Sequence, residues 1–318
     1  MNTELARQEG EVLWWQQSNE LVSGHLDQAL AHINAARDAP ASSATRTCEL
    51  YFLALNKLWN AHAQHAGEPA RADTPAFIAL LRELSLDGDE FLLDSRLERL
   101  VAFTPEVLDH QTLKSRGYRP GQVLDDPLRR DATEKHRKLR NAHLRWVQDG
   151  ADADRLLKKL AEFLYVIRSN IAHGEKTPYG PDLEKTRRDE AVSQTTRPTL
   201  DLILDRLLAL PSCRLVSYGT LKPGGENASV LAALRGQWTT CRIRGRIRQI
   251  DGLPVLYLDQ SAEEIEAMMM ESPGLHDRWA DLDRFEGIRY GRRLISVLAD
   301  RVPLVANCYV ATSRSQAG

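Results

Sequence analysis

The chain has 318 residues, 42% of them hydrophobic and 27% charged, and its 42 Lys+Arg against 44 Asp+Glu give a formal net charge of −2. That length suits two globular domains with packed cores, and the balance of charge excludes a protein that is nucleic-acid binding all over, though not one with a local basic patch. Four scattered cysteines (Cys48, Cys213, Cys241, Cys308), with no C-x-x-C pair and no zinc spacing, exclude a disulfide scaffold and point to a reduced, cytoplasmic protein.

The N-terminal residues show no apolar signal core, and no stretch approaches the roughly 18 apolar residues of a membrane span. From residue 1 to about 210 the pattern is helix after helix. Trp14, Trp15 and Trp59 read as core or dimer-interface anchors. Residues 43–66 place Cys48, Phe52, Leu55 and Trp59 at three- and four-residue steps, one apolar stripe. Thr74-Pro75 reads as a cap and first-turn proline opening a helix over 76–84. Residues 88–102 continue with Phe91, Leu92, Leu97, Leu100 and Val101. Between about 104 and 128 the pattern weakens, and Gly117, Pro120 and Pro127 predict loop.

A polar, basic helix is predicted over about 129–148. Residues 129–146 hold seven Arg or Lys against Asp131 and Glu134, a local +5. Such a cluster suits phosphate, as it suits a solvated helix face. His136 and His143 share one face there but suggest no third ligand, so no metal site is expected. The strongest stripe, Leu156, Leu160, Phe163, Ile167 and Ile171, predicts a helix over 152–173 ending at Gly174. The apolar period is lost over 175–198. Thr199 then reads as the cap of a last helix, 200–210, stopped by Pro211.

After Pro211 short strands and turns take over. Strands are predicted at 214–218, at 241–250 (where Ile243, Gly245 and Ile247 alternate with arginines) and at 255–258 after the Gly252-Leu253-Pro254 turn. Ser261 reads as the cap of a helix through Met270, and a short helix at about 275–285 precedes Glu286-Gly287. Strands at 292–298 and 304–312 close the chain. The expected architecture is an all-α bundle over 1–210 followed by an α+β small mixed barrel over 211–318.

Two segments of the second half, Val216-Ser217-Tyr218-Gly219-Thr220-Leu221 with Asn227 and Leu282-Asp283-Arg284-Phe285-Glu286-Gly287 with Tyr290 and Arg292, resemble the Tyr-Gly-Ser/Thr-Leu loop and the Glu-Gly-x-x-Tyr-x-Arg segment of γ-glutamylcyclotransferase-like proteins (γ-glutamylamine cyclotransferase, AIG-type). The resemblance covers about residues 213–312. Independently of it, a strand ending in glycine can turn sharply and gather successive N–H groups around a carboxylate or oxyanion. The resemblance implies that the loop binds a γ-glutamyl group. The substrate's own α-amine then attacks its side-chain carbonyl, releasing an amine and 5-oxoproline without metal or cofactor. Glu286 matches the proton-transferring carboxylate, which suits a half-apolar pocket that raises its pKa. Tyr218 and Tyr290 would line the pocket, Gly219, Thr220 and Leu221 would supply backbone donors, and Asn227 belongs to the loop. Ala228 follows Asn227 where many members have histidine, a departure that bears on the rim and the substrate more than on the fold.

In the first half, Arg168-Ser169-Asn170-Ile171-Ala172-His173 resembles the R-x4-H motif of HEPN domains, all-α and often metal-independent ribonucleases of prokaryotic toxins and phage defence. Residues five apart on a helix lie about 140° apart, so Arg168 and His173 converge only if the helix frays or two copies meet. In HEPN domains a two-fold dimer joins the motifs. By that resemblance His173 is the general base and acid and Arg168 holds the phosphate; Asn170 and, from the basic helix, Arg137, Lys138 and Arg140 are the candidate RNA contacts. Three readings stand: a HEPN ribonuclease-like and cyclotransferase-like fusion in toxin or defence biology that cleaves or senses a γ-glutamyl compound; a metabolic γ-glutamylamine cyclotransferase with a helical dimerisation domain; and a pair of binding modules.

Overall fold

The computed structural model describes residues 14–17, 20–40, 43–67, 72–84, 90–103, 107–119, 123–150, 152–172, 183–259 and 261–312. The chain divides into two compact units, Met1–Leu204 and Asp205–Gly318. Among the described residues no helix is long and apolar enough to cross a membrane.

The first unit is helical: α1 (Glu20–Asp38), α2 (Ala44–His65), α3 (Asp73–Arg82), α4 (Ser95–Ala102), α5 (His110–Ser115), α6 (Asp126–Ala132), α7 (Glu134–Asp149), α8 (Ala153–Ala172) and α9 (Leu183–Leu207). The expected stripe of α2 faces inward, with Cys48, Leu55 and Trp59 at 0–1% exposure and Trp59 packed on Phe77 at 5.1 Å. Trp14 and Trp15 are buried as well. The helix predicted at 76–84 begins at Asp73, so Thr74 lies inside its first turn and does not cap it.

Where loop is predicted, two short helices form. Asp109 accepts the N–H groups of Gln111 and Thr112, and Asp125 that of Leu128, so side-chain caps start α5 and α6. At six and seven residues they are too short to display a helical period. Thr133 then separates α6 from α7.

The longest departure is α9. It runs unbroken through Pro198, and Thr199, expected as a cap, is buried within it and donates its hydroxyl to the Arg96 carbonyl. The missing apolar period has a cause: Asp189, Ser193 and Thr196 occupy inward positions, at 0–1% exposure. Ser193 meets the Thr45 hydroxyl at 3.1 Å and accepts the Cys48 thiol at its carbonyl. Thr196 bonds back to the Val192 carbonyl. A helix whose buried face is partly polar gives no hydrophobic signal.

The second unit holds β1 (Arg214–Ser217), β2 (Gln237–Ile250), β3 (Leu253–Leu258), β4 (Glu264–Glu271), α10 (Trp279–Glu286), β5 (Tyr290–Ala299) and β6 (Val302–Ala311). Strand order is β3-β2-β4-β1-β6-β5, and β2 also pairs with β5, which closes five strands into a small barrel with β3 appended to β2. β1 and β6 run parallel; the other pairs are antiparallel. Val216, Ile243, Ala267, Met269, Val297 and Cys308 are among the residues filling the interior.

Residues 264–271 form β4, not the helix predicted from Ser261. Ala and Met are helix formers, but alternation decides here. Ala267 and Met269 enter the interior, while Met270 packs with Leu215, Trp279 and Leu282 in a second apolar cluster. Ladders on both sides, Thr239↔Met269 from β2 and Val216↔Met269 from β1, override local propensity. The Asp251-Gly252 hairpin takes positive φ at both residues (51° and 78°) and delivers Leu253 and Pro254 to the site.

Candidate active site

Glu286 closes α10, and Gly287 follows at φ 67°, ψ −160°, a conformation open essentially only to glycine. That residue reverses the chain into β5. One turn earlier on the same helix, Asp283 takes two guanidinium N–H bonds from Arg292 (3.0 and 3.2 Å) and the Tyr309 hydroxyl (2.7 Å). Arg292 and Tyr309 are cross-strand partners on β5 and β6. The Arg292 guanidinium also lies 4.5 Å over the ring of Trp279, the first residue of α10. Trp279 in turn donates its indole N–H to the Ser212 carbonyl at 2.8 Å. Both ends of α10 are therefore tied to the barrel.

A cleft of about 230 Å³ lies between this helix end, the loop after β1 and the β2–β3 turn. All seven cyclotransferase-type residues expected from the sequence line it: Tyr218, Gly219, Thr220, Leu221, Asn227, Glu286 and Tyr290. Asn227 holds the loop closed, donating its backbone N–H to the Thr220 carbonyl and its side-chain amide to the Thr220 hydroxyl, each at 3.0 Å. The amides of Gly219, Thr220 and Leu221 donate to no acceptor of the chain among the described residues. Gly219 has no positive φ; what it supplies is room, because a Cβ there would sit 3.2 Å from the Pro254 ring.

The Glu286 carboxylate makes no hydrogen bond or ion pair among the described residues, and burial raises its pKa from 4.5 to about 7. The phenols around it are spent elsewhere. Tyr218 donates to the Tyr309 carbonyl at 2.9 Å and accepts the Leu256 N–H at 3.1 Å. Tyr290 donates to the Pro254 carbonyl at 3.2 Å. Burial first, and the Glu286 charge in addition, push Tyr218, Tyr290, Tyr309 and the Cys308 thiol above their ordinary pKa values. They form a neutral wall. Glu286 is thus the cleft's one carboxylate with a pKa near neutrality among the described residues, and the unused amides face the needs of an oxyanion or carboxylate.

Tyr309, Asp283 and Arg292 were not singled out by sequence as site residues. A signal existed, since Tyr290 and Arg292 share strand parity and Asp283 precedes Glu286 by one helical turn. The Arg292–Tyr309 pairing across strands was invisible without the register.

The residues expected to act on RNA lie in the helical unit. Arg168 pairs with Asp73 at 3.4 Å, bonds the Tyr165 hydroxyl at 3.3 Å and lies over the Tyr165 and Trp59 rings. His173 lies outside the described residues. Asn170 is 2% exposed and gives its amide to the Leu108 carbonyl at 2.8 Å, a placement that keeps it from any surface ligand. Arg137 and Lys138 pair with Glu134. Arg140 bonds the Val101 and Phe103 carbonyls, so it ties α7 to the end of α4. His136 is buried and stacked on Phe163 at 4.4 Å. Among the described residues no group of three or more His, Cys, Asp or Glu is placed to hold a metal ion.

Residues 215–318 match the family model described as Gamma-glutamyl cyclotransferase, AIG2-like. Among solved structures the chain is similar to YkqA from Bacillus subtilis, at 24% identity over 31% of this chain and 36% of that one, with a TM-score of 0.27. It is also similar to an alanine variant of allophanate hydrolase from Kluyveromyces lactis, at 10% identity over 78% of this chain and 53% of that one, with a TM-score of 0.27. The matches therefore span about a third and about half of those two chains. No curated protein matches.

Proposed function

We propose that the C-terminal, γ-glutamyl cyclotransferase-like unit converts a γ-glutamyl amide into 5-oxoproline and a free amine. The observation that carries this reading is the Glu286 carboxylate, without a partner among the described residues and held at a pKa of about 7 in a cleft shared with the Gly219–Leu221 amides, which likewise donate to none of them.

The steps follow from those groups. Ionised Glu286 takes a proton from the substrate's α-ammonium. The freed nitrogen lone pair attacks the γ-carbonyl carbon, closing a five-membered ring and placing the carbonyl electrons on oxygen. Loop amides hold that oxyanion. As the carbonyl re-forms, the bond from carbon to the leaving nitrogen breaks; Glu286 returns its proton to that nitrogen and then carries the ring nitrogen's second proton across to it, so that the amine leaves as an ammonium ion. A pKa near neutrality lets one group do these transfers. Protons and electrons balance without a second reactant.

The test is 5-oxoproline release from a panel of γ-glutamyl amines and dipeptides by the purified full chain. Release from none of them would reduce the site to ligand binding. The Asp283–Arg292–Tyr309 contact gives a second expectation. Arg292→Lys, which cannot make the two-pronged bond to Asp283, is expected to lower kcat about tenfold with KM changed less. A kcat equal to wild type would mean that this contact does not place Glu286.

For the helical unit, the ribonuclease reading with a two-fold dimer and a role in defence rests on the motif at Arg168 and His173. It is supported by the position of Arg168 near the end of α8, with its side chain 28% exposed. Loss of RNA cleavage in both Arg168→Ala and His173→Ala would favour it. Protein without RNA cleavage in its wild-type form would rule it out.

A further inference from the structure

The stretch between α9 and β1 is strained and densely bonded. Ala209 and Leu210 are consecutive non-glycine residues at positive φ, 64° and 57°. Such residues persist only where their surroundings over-determine them. Leu210 donates its N–H to the Asp205 carbonyl at 2.7 Å, Cys213 donates to the Leu210 carbonyl at 2.9 Å, and Arg214 donates to the Ala209 carbonyl. Asn307 of β6 gives its side-chain amide to the Pro211 carbonyl at 2.6 Å. Asp205 stands in the last turn of α9, inside the second unit, and accepts both donors of Ser212: the N–H at 3.1 Å and the hydroxyl at 2.8 Å. The carbonyl of that same Ser212 accepts the Trp279 indole N–H. Asp205 and Ser212 both precede residue 215, where the family match begins.

Building on the cyclotransferase reading, we propose that Asp205 is a positioning residue for Glu286, acting through Ser212 and Trp279 on helix α10. A carboxylate in the last turn of a helix faces the negative end of the dipole, so α9 itself gains nothing from Asp205 there. What Asp205 does is hold the Ser212 peptide, and with it the carbonyl that anchors Trp279. Trp279 is buried among Leu215, Met270 and Tyr309 and opens α10. Its ring also lies under the Arg292 guanidinium, which grips Asp283 one turn before Glu286. One tryptophan thus sets both the start of the helix and the contact near its end. α10 has eight residues, so a shift at Trp279 passes down only about two turns before it reaches Glu286. The Glu286 carboxylate has no partner among the described residues to resist that shift, and goes where its helix goes. Proton transfer is sensitive to such displacement, because it needs hydrogen-bond reach to the reacting nitrogens.

Three substitutions in the full chain test this. Asp205→Ala removes both acceptors, whereas Asp205→Asn keeps an oxygen for the Ser212 N–H and an amide for its hydroxyl. Trp279→Phe keeps a ring under Arg292 and deletes the indole N–H. In 5-oxoproline release, Asp205→Ala and Trp279→Phe are each expected to lower kcat about tenfold with KM within about threefold, while Asp205→Asn stays within about threefold of wild type. Combining Asp205→Ala with Trp279→Phe should again cost about tenfold, because the two act on one path. In both single variants the acidic limb of kcat/KM should move down from near 7, as the carboxyl at the displaced helix end meets water. Loss of folded protein alone would lower kcat and leave the limb in place. Should Asp205→Ala not fold, Trp279→Phe reads the same shift. An unmoved limb, an Asp205→Asn variant as impaired as Asp205→Ala, or a double variant about a hundredfold down would overturn the proposal. Where wild-type protein releases no 5-oxoproline, carbon-13 NMR of glutamate-labelled protein reads the displacement, with Glu286→Gln identifying the Glu286 resonance. A Glu286 pKa lower in Asp205→Ala than in wild type then supports the positioning role, and only the catalytic reading falls. An equal pKa overturns the role itself.

Discussion

Glu286→Gln is expected to lower kcat for 5-oxoproline release by about 10²–10⁴-fold while KM moves only a few-fold, the loss associated with removing a positioned general acid–base group. Glutamine keeps the shape and polarity of the side chain but can carry no proton between the two nitrogens. Among the described residues no neighbour is placed to take over. The hydroxyls of Tyr218 and Tyr290 are donated to backbone carbonyls and that of Tyr309 to Asp283, and burial holds all three phenols neutral. In wild-type protein the acidic limb of kcat/KM should report the same group, with an apparent pKa near 7, because below that value the carboxyl is protonated and cannot accept the substrate's proton. Activity of Glu286→Gln within tenfold of wild type would place the proton carrier elsewhere.

The same substitution has a consequence for stability, opposite in direction. Glu286 has a pKa of 4.5 unfolded and about 7 folded. Between those values the folded chain holds a proton that the unfolded chain has released. The stability linked to this group is therefore fully present below pH 4.5 and is lost as pH rises through about 7. Replacing it by glutamine removes that loss. Glu286→Gln should be more stable than wild type at pH 8, on the order of 2 kcal/mol after allowing for the carboxyl's access to the cleft, and should differ little at pH 4. Urea unfolding at the two pH values checks this. A variant no more stable at pH 8 would show that burial does not press on this carboxyl.

Gly225→Ala is expected to abolish binding in the cleft, with kcat/KM reduced at least about 100-fold and stability lower by about 1–3 kcal/mol. A Cβ at this position would collide with the Thr220 carbonyl oxygen and lie 2.8 Å from the Thr220 carbonyl carbon and 2.9 Å from the Lys222 oxygen. Every one of those atoms is backbone, so no side chain can swing aside. The loop must open, and opening it separates Thr220 from Asn227 and scatters the amides that line the cleft. Gly219→Ala is the informative contrast. Its Cβ would meet only the Pro254 ring at 3.2 Å, a contact that yields by a few tenths of an ångström, so a milder loss of about tenfold in kcat/KM is expected. Equal effects of the two substitutions, read by 5-oxoproline release and thermal unfolding, would mean that the loop's shape is not what binds the substrate.

What the sequence by itself determined follows from local rules. The change from helix to strand after Pro211 is a change of hydrophobic period, and the stripes of α2 and α8 show which faces are buried before any packing is seen. The Tyr218–Leu221 loop and Glu286-Gly287 were legible through their resemblance, as an ordered pair of short motifs, to γ-glutamylcyclotransferase-like proteins; what Gly219 supplies, room beside Pro254, came only from the structure. Where the signal is longer-ranged or absent, reading failed. The α9 helix hid behind its buried Asp189, Ser193 and Thr196, and α5 and α6 were too short to show a period. Residues 261–270 read as helix because alanine and methionine favour one in isolation; only ladders to β1 and β2 on either side make them β4. The cleft divides in the same way. Sequence placed Glu286 opposite a glycine loop, but only the tertiary structure decided that its carboxyl stands unpaired. The phenols that could have bonded it are claimed by the carbonyls of Tyr309 and Pro254 and by Asp283, groups that lie beside them only once the barrel has closed.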